Sequence, residues 1–367
     1  MKTTILSVIA IFLSITLIVS CSREELTPKV SKTKLSLTPP DYDYLAVSKN
    51  VGYLGRVLFY DKSLSVNNSI SCASCHKQEL AFSDHDQFSG GFENLKTSRN
   101  SPPIQNLMGA LNGDTFGIFT SGQSLFWDGS ETDLQNLVLK PITHRIEMGM
   151  RSPQDLVDKL RTVSYYEELF NNAYGSPEIT VDKISEALAG FVGSIESNKS
   201  KFDVNLNTLE NSFSEMEMRG QDLFFGDYDC GSCHQLQLPF GYDPTTAAFG
   251  EMVNIGLDLQ TTDPGFADVS GNPQDHGKFK IPNLRNVELT APYMHDGRFE
   301  TLGEVIDHYS TGVVNSSTLD PRLMQNGQPE VLNIPSEDKA ALIAFLKTLT
   351  DYDMVTDPKY SNPFQEQ

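Results

Sequence analysis

Two short segments constrain this chain more than any other feature. GRVLFYDKSLSVNNSISCASCH (Gly55–His76) and GQDLFFGDYDCGSCH (Gly220–His234) share Gly-x-x-Leu-Phe-aromatic, then a loop, then Cys-x-x-Cys-His. Two cysteines at this spacing can add across the two vinyl groups of a haem, while the adjacent histidine reaches the iron from one face. A single Cys-x-x-Cys would equally suit a thiol redox pair or half of a zinc site. Two copies, each closed by a histidine, point to two covalently bound c-type haems. Cys72, Cys75, Cys230 and Cys233 are then the attachment points, and His76 and His234 the proximal ligands. The fifth cysteine, Cys21, lies far upstream, so no thiol is left over for a structural disulfide.

Helical periodicity surrounds both segments. Ser214 and Glu217 form a capping box ahead of MRGQDLFF, so a helix should deliver the chain to the second cysteine pair. Ile184, Leu188, Phe191 and Ile195 share one face of a helix predicted to begin near Thr180. Ser336, with Glu337 and Asp338 behind it, is expected to cap a last helix whose stripe is Leu342, Phe345, Leu346 and Leu349. Strand-like alternation is scarce. The stretches rich in Gly, Pro, Asn and Asp, notably Pro239–Asp275, predict long loops of the kind that shape a site. The expected fold class is mainly α, two cytochrome c-like haem lobes with long irregular loops, and the 367-residue length favours two domains. The division falls near Asn205–Ser214, giving an N-terminal haem domain over 41–210 and a C-terminal one over 211–355.

The N-terminus reads as a targeting segment. Lys2 precedes the apolar run Ile5–Val19, with no further charge until Arg23, the pattern of a bacterial export signal over 1–20. A single-pass anchor is the alternative, for which the run is short. IVSC resembles a lipobox, so Cys21 would become a lipidated mature N-terminus and 21–40 a flexible tether. The expected location is the cell envelope, facing the periplasm, with membrane contact only through that lipid. A net charge of −20 argues against nucleic acid as a partner and leaves basic electron carriers open.

Further segments run in order from about Val51 to Thr350: CASCHKQELAFSD, RNSPPIQNL, LFWDGSETDLQNLVLKPITHRIEMG, CGSCH, IPNLRNVELTAPYMHDGRFETLGEVIDHY and ALIAFLKTLT. With these the chain resembles the bacterial dihaem cytochrome c peroxidases, whose superfamily includes the tryptophylquinone-forming enzyme MauG. The resemblance implies that the N-terminal haem reacts with peroxide and the C-terminal haem accepts electrons. It makes Trp127 the residue between the haems and Glu147 the distal carboxylate, which would take a proton from one peroxide oxygen and return it to the other. Pro141 borders the same pocket, and Leu137 stands where well-known members carry a glutamine. A calcium ion between the lobes is also implied, held by Asn100 with carbonyls from Thr290 and Pro292.

The axial positions separate this chain from many members. The sixth ligand of the C-terminal haem falls on Tyr309, as in MauG, with Met294, Met252 and Met324 as alternatives. At the N-terminal haem, the histidine that many members release on activation falls on Phe92, which cannot ligate iron. That leaves His85 or no protein ligand. His295 belongs to the matched HDG segment, His308 should point away from the haem, and His276 and His144 carry no motif. The implied activity is reduction of hydrogen peroxide to water with electrons from a small cytochrome c or cupredoxin, and a homodimer is compatible with it. The alternatives are a MauG-like enzyme that oxidises a protein side chain and a non-catalytic dihaem electron carrier.

Overall fold

The computed structural model describes residues 34–35, 49–107, 124–208, 212–234 and 251–365. The expected export signal, Cys21 and most of the tether lie outside the described residues, as does the first part of the Pro239–Asp275 loop. The described chain is mainly helical. Its N-terminal half holds α1 (Lys49–Tyr60), α2 (Cys72–Cys75), α3 (Leu134–Leu137), α4 (Lys140–Thr143), α5 (Pro153–Leu160), α6 (Tyr166–Tyr174) and α7 (Val181–Gly193). Its C-terminal half holds α8 (Lys201–Thr208), α9 (Glu215–Phe225), α10 (Ala267–Ser270), α11 (Leu302–Asp307), α12 (Ser336–Lys347) and α13 (Tyr352–Thr356). Strands are confined to antiparallel pairs of two residues each, among them β2 (Met252–Val253) with β3 (Phe279–Lys280); β1 is Lys34–Leu35.

Each half is organised by one helix crossing, and the repeated glycine explains it. A Cβ on Gly55 of α1 would lie 1.9 Å from the carbonyl oxygen of Ala187 in α7 and 2.9 Å from Cβ of Phe191. A Cβ on Gly220 of α9 would lie 2.0 Å from the Ala341 carbonyl oxygen in α12 and 2.8 Å from Cβ of Phe345. Only glycine permits backbones to meet this closely. The phenylalanine four positions after each glycine then packs on the partner helix: Phe59 and Phe191 have ring centroids 5.1 Å apart, and Phe224 and Phe345 5.3 Å apart. Around these pairs lie two apolar clusters, one spanning Val51 to Ile195 and the other Phe202 to Leu349. Each fully buried Leu or Phe in them contributes about 1.5–3 kcal/mol relative to exposure.

The last segment crosses back onto the first cluster. Met354 and Tyr360 are buried there, the Tyr360 hydroxyl donates to the Ser194 carbonyl (2.6 Å), and Gln78 Nε2 donates to the carbonyls of Met354 and Asp357. The chain end therefore clasps the N-terminal half.

Helix starts follow their capping chemistry. Thr180 caps α7, accepting from the Lys183 amide, and the Ser214–Glu217 box opens α9. Ser336 departs from its expected role: it is the first helical residue, and Pro335 is the cap. The extended backbone of Pro335 lets its carbonyl accept the Lys339 amide, which starts the helix one residue earlier than the serine suggests. Nor is α12 the last helix, because α13 follows it. Ile195 lies beyond the end of α7 yet stays fully buried. Among the described residues no helix is long and apolar enough to cross a membrane.

Candidate active site

The two Cys-x-x-Cys-His segments form matching cradles. His76 follows α2 directly, and its Nδ1 bonds to the Phe82 carbonyl at 2.9 Å. His234 uses its Nδ1 in the same way, toward the Pro282 carbonyl at 3.2 Å. A ring whose Nδ1–H is donated to a carbonyl presents the Nε2 lone pair, the state a metal-ligating histidine requires. Burial lowers the pKa of both rings, that of His234 to about 4, so they are neutral at physiological pH.

The thiols argue against a reactive dithiol pair. Burial pushes Cys72 up to about 12 and Cys75 and Cys230 up to about 11, and raises Cys233 as well. Dithiol redox centres depend on lowered values. All four sulfurs are free of disulfides, and as thioethers they would carry no proton to lose. The donor set therefore fits covalent haem.

The chain is tied at several points around Trp127. The indole Nε1–H donates to the Asn100 carbonyl at 2.9 Å, and the Trp127 carbonyl accepts the Lys280 amide of β3 at 2.8 Å. Arg99 grips Asp263 through Nε and Nη2 (2.7 and 2.8 Å) and Asp128 through Nη1 (2.5 Å). The adjacent pairs Arg99–Asn100 and Trp127–Asp128 are thus bound to each other twice. Asn100 is buried, with its amide donating to the His295 carbonyl and its Nδ2 to the carbonyls of Asp86 and Gln87. Among the described residues nothing donates to Asn100 Oδ1 or to the carbonyls of Thr290 and Pro292. Uncommitted oxygens of this kind suit a hard cation.

Glu147 lies on the turn after α4, close enough to Cys72 and Cys75 for its charge to raise both thiols. Burial raises its own pKa, opposed by the neighbouring His144, whose Nδ1 lies 3.1 Å from Oε1. Phe92 locks onto the same turn. Its amide donates to the Glu147 carbonyl at 2.9 Å, and its ring fills the space over Gly149, where a Cβ would lie 2.6 Å from a ring carbon. A Cβ on Gly91 would meet the Ile146 carbonyl oxygen at 1.8 Å, so the two loops interlock backbone to backbone. Pro141 is in the first turn of α4, and Leu137 packs half-buried against the N-terminal cluster. His85 is on the outside: its side chain is 67% exposed, beside Lys77, Asp84 and Asp86.

On the other cradle, Tyr309 sits in a π-helical turn, His308–Gly312, that continues α11. Such turns recur at functional sites because they re-aim one side chain. Burial raises the Tyr309 hydroxyl well above its usual pKa, and it is close enough to Cys230 and Cys233 for thiolate charge there to add to this. His308 bonds the Ile255 carbonyl through Nε2 at 3.0 Å, and His295 stacks on Phe279 with centroids 3.6 Å apart. His276 is exposed. Met252 reaches Gly129, Met324 lies in a two-residue strand pair, and Met294 occupies a positive-φ turn position.

Known proteins match both the sequence and this arrangement. The family description of di-haem cytochrome c peroxidases matches residues 49–211. A cytochrome c551 peroxidase of Nitrosomonas europaea is 32% identical over 300 residues, which cover 81% of this chain and 79% of that protein. The chain belongs to the di-haem cytochrome c peroxidase family. The methylamine utilization protein MauG of Methylorubrum extorquens is also 32% identical, covering 81% of this chain and 77% of that protein. Among solved structures, a MauG-like protein associated with microbial copper homeostasis superposes with a TM-score of 0.71 at 34% identity, over 90% of this chain and 97% of that one. This dihaem peroxidase is therefore a two-haem c-type enzyme, and its mainly α architecture is that of its relatives.

Three features of this dihaem peroxidase were not singled out from its sequence. The Arg99–Asp128–Asp263 tie joins residues up to 164 positions apart, which leaves no local pattern. The Gly91–Ile146 contact is likewise tertiary. The His144–Glu147 pair was accessible, since a spacing of three residues is a standard neighbour distance on a turn or helix.

Proposed function

We propose that this peroxidase reduces hydrogen peroxide to water in its N-terminal lobe, with single electrons delivered to the C-terminal lobe by a small periplasmic cytochrome c or cupredoxin. The observation that carries this is the turn near Cys72 and Cys75: a carboxylate with a raised pKa and, at the family's releasable-histidine position, a phenylalanine fastened to the same turn. When bound, the two haems supply the redox chemistry and store the two electrons that each peroxide needs.

The chain's own residues do the rest. Glu147 takes the proton from one peroxide oxygen and returns it to the departing one, a task suited to a carboxyl whose pKa has moved toward neutrality. Phe92 and Gly91 hold the turn closed over the pocket and offer the iron no ligand. His85, solvated on its loop, leaves that position free. Trp127, fixed through its side chain and its backbone, keeps a constant path between the cradles. Asn100 Oδ1 and the carbonyls of Thr290 and Pro292 would hold calcium at this junction. The lipid on Cys21 would keep the enzyme at the periplasmic membrane surface.

A second reading is favoured by Tyr309. A phenolate held by the C-terminal haem would stabilise oxidised iron and suit oxidation of a protein side chain. Steady-state peroxide consumption with a reduced small cytochrome decides between them. The leading reading expects sustained turnover that falls by about 10²–10⁴ in Glu147→Gln, the range for a positioned acid–base group. Turnover with peroxide that oxidises a protein side chain and ignores reduced cytochrome would favour the second.

A further inference from the structure

Peroxide reduction consumes protons from water. Each H2O2 accepts two electrons, its O–O bond breaks, and two protons complete two molecules of water. The donor protein supplies the electrons. The protons must reach Glu147, whose side chain keeps only a third of its surface exposed.

The structure offers one route for them. His144 is the residue immediately after α4, and its ring is 51% exposed. Its Nδ1 lies 3.1 Å from Glu147 Oε1 as an ion pair, and rotation of the half-exposed ring would align the two for a charge-assisted hydrogen bond. The spacing is built into the turn. The Gly149 amide donates to the His144 carbonyl at 3.0 Å, the Met150 amide to Ile142 at 3.0 Å, and the Val66 amide to Met148 at 2.9 Å. The Phe92 amide closes the fourth side on the Glu147 carbonyl. The backbone that carries ring and carboxylate is therefore fixed, with the ring on the solvent side.

We infer that His144 relays protons from water to Glu147 during turnover. Nδ1–H passes its proton to Oε1 while Nε2 takes another from solvent. The departing oxygen leaves as water with the peroxide's own proton, so Glu147 hands the relayed protons to the oxygen that remains. These protons and the two donor electrons convert that oxygen to the second water. Two such transfers per peroxide balance the reaction, and no bond between heavy atoms forms at His144. It acts through Glu147 and is a positioning residue. An imidazole suits the task because it exchanges protons with water near neutrality. Burial raises Glu147 above its usual value, and the charge of His144 limits that rise. Other groups do not interfere. Cys72 and Cys75 feel the Glu147 charge but have no proton as thioethers. Arg145 is exposed, and Arg151 faces Asp155.

The inference rests on Glu147 as the proton-handling group, and the test separates the two. Holoenzyme variants His144→Gln, His144→Ala and Glu147→Gln, each checked for two haems by absorbance, are compared in kcat/KM against pH, solvent deuterium effect and response to free imidazole. In His144→Gln, kcat should fall about tenfold, below the ~10²–10⁴ of a positioned acid–base group itself. The acid limb of its profile should move to higher pH, because the charge that lowers Glu147 is gone. The deuterium effect should grow, and imidazole should restore most of the activity of His144→Ala. A His144 variant with the native pH profile and no imidazole rescue, beside an inactive Glu147→Gln, overturns the relay whether or not its kcat falls. Full activity in Glu147→Gln overturns the reading of Glu147 itself.

Discussion

In the lobe around His76, Gly55 lets α1 press against Ala187 of α7; in the lobe around His234, Gly220 lets α9 press against Ala341 of α12. The same aromatic pair follows in each, Phe59 with Phe191 and Phe224 with Phe345. This shared framework is what any covalent haem requires, a rigid helix crossing that aims one imidazole. The lobes then diverge in what lies near each cysteine pair. The first carries an acid and a locked, non-ligating phenylalanine, and the second a buried phenol. They also differ in how the proximal ring is held. The carbonyl that fixes His76 comes from six residues away, and the one that fixes His234 from 48. The first cradle is thus local, whereas the second depends on tertiary closure.

That difference gives the largest expected effect. Gly55→Ala and Gly220→Ala each force a methyl into a backbone carbonyl, at a cost of about 1–3 kcal/mol or more, as for other overpacked cores. The consequences should differ between lobes. Guanidinium titration followed separately at each haem should show Gly220→Ala releasing the His234 cradle well before the His76 one, and Gly55→Ala a more even loss. Equal behaviour of the two variants would erase the distinction between local and tertiary cradles.

The distal faces are probed next. On the proposal that Tyr309 is the sixth ligand of the C-terminal haem, Tyr309→Met exchanges its oxygen for a thioether, which raises a haem potential. Spectroelectrochemistry should show the C-terminal haem rising by at least a tenfold shift in its oxidised-to-reduced ratio, ~59 mV for one electron, with the N-terminal haem unmoved. A shift in the N-terminal haem alone would put Tyr309 on the wrong cradle. The smallest effect is at the junction. Trp127→Phe keeps an aromatic ring but loses the hydrogen bond to the Asn100 carbonyl, worth about 1 kcal/mol. Global stability should fall by that amount, and electron transfer between the haems, followed after flash reduction, should slow. Unchanged transfer would remove Trp127 from the path.

Much of the shared framework is legible in the sequence, and much of the divergence is not. Cys-x-x-Cys-His, Gly-x-x-Leu-Phe and the Ser214–Glu217 box are local chemistry, and each appears where its spacing puts it. Ser336 misleads because the extended Pro335 before it can start the helix with its carbonyl alone. The carbonyl partner of His234, the grip of Arg99 on Asp263 and the fit of Gly91 under Ile146 are long-range contacts between backbone or irregular loops. No periodicity encodes them. Phe92 shows the limit from the other side: its identity rules out ligation from sequence alone, but only packing shows that its loop is fastened to the Glu147 turn.

The central claim is that the two lobes differ at the iron's open face, and low-temperature EPR of the fully oxidised protein tests it directly. A high-spin ferric signal from the N-terminal haem beside a low-spin or tyrosinate-type signal from the C-terminal one is the predicted result, together with peroxide reaction that needs no prior reduction. Two six-coordinate low-spin haems, reactive only after partial reduction, would contradict the account.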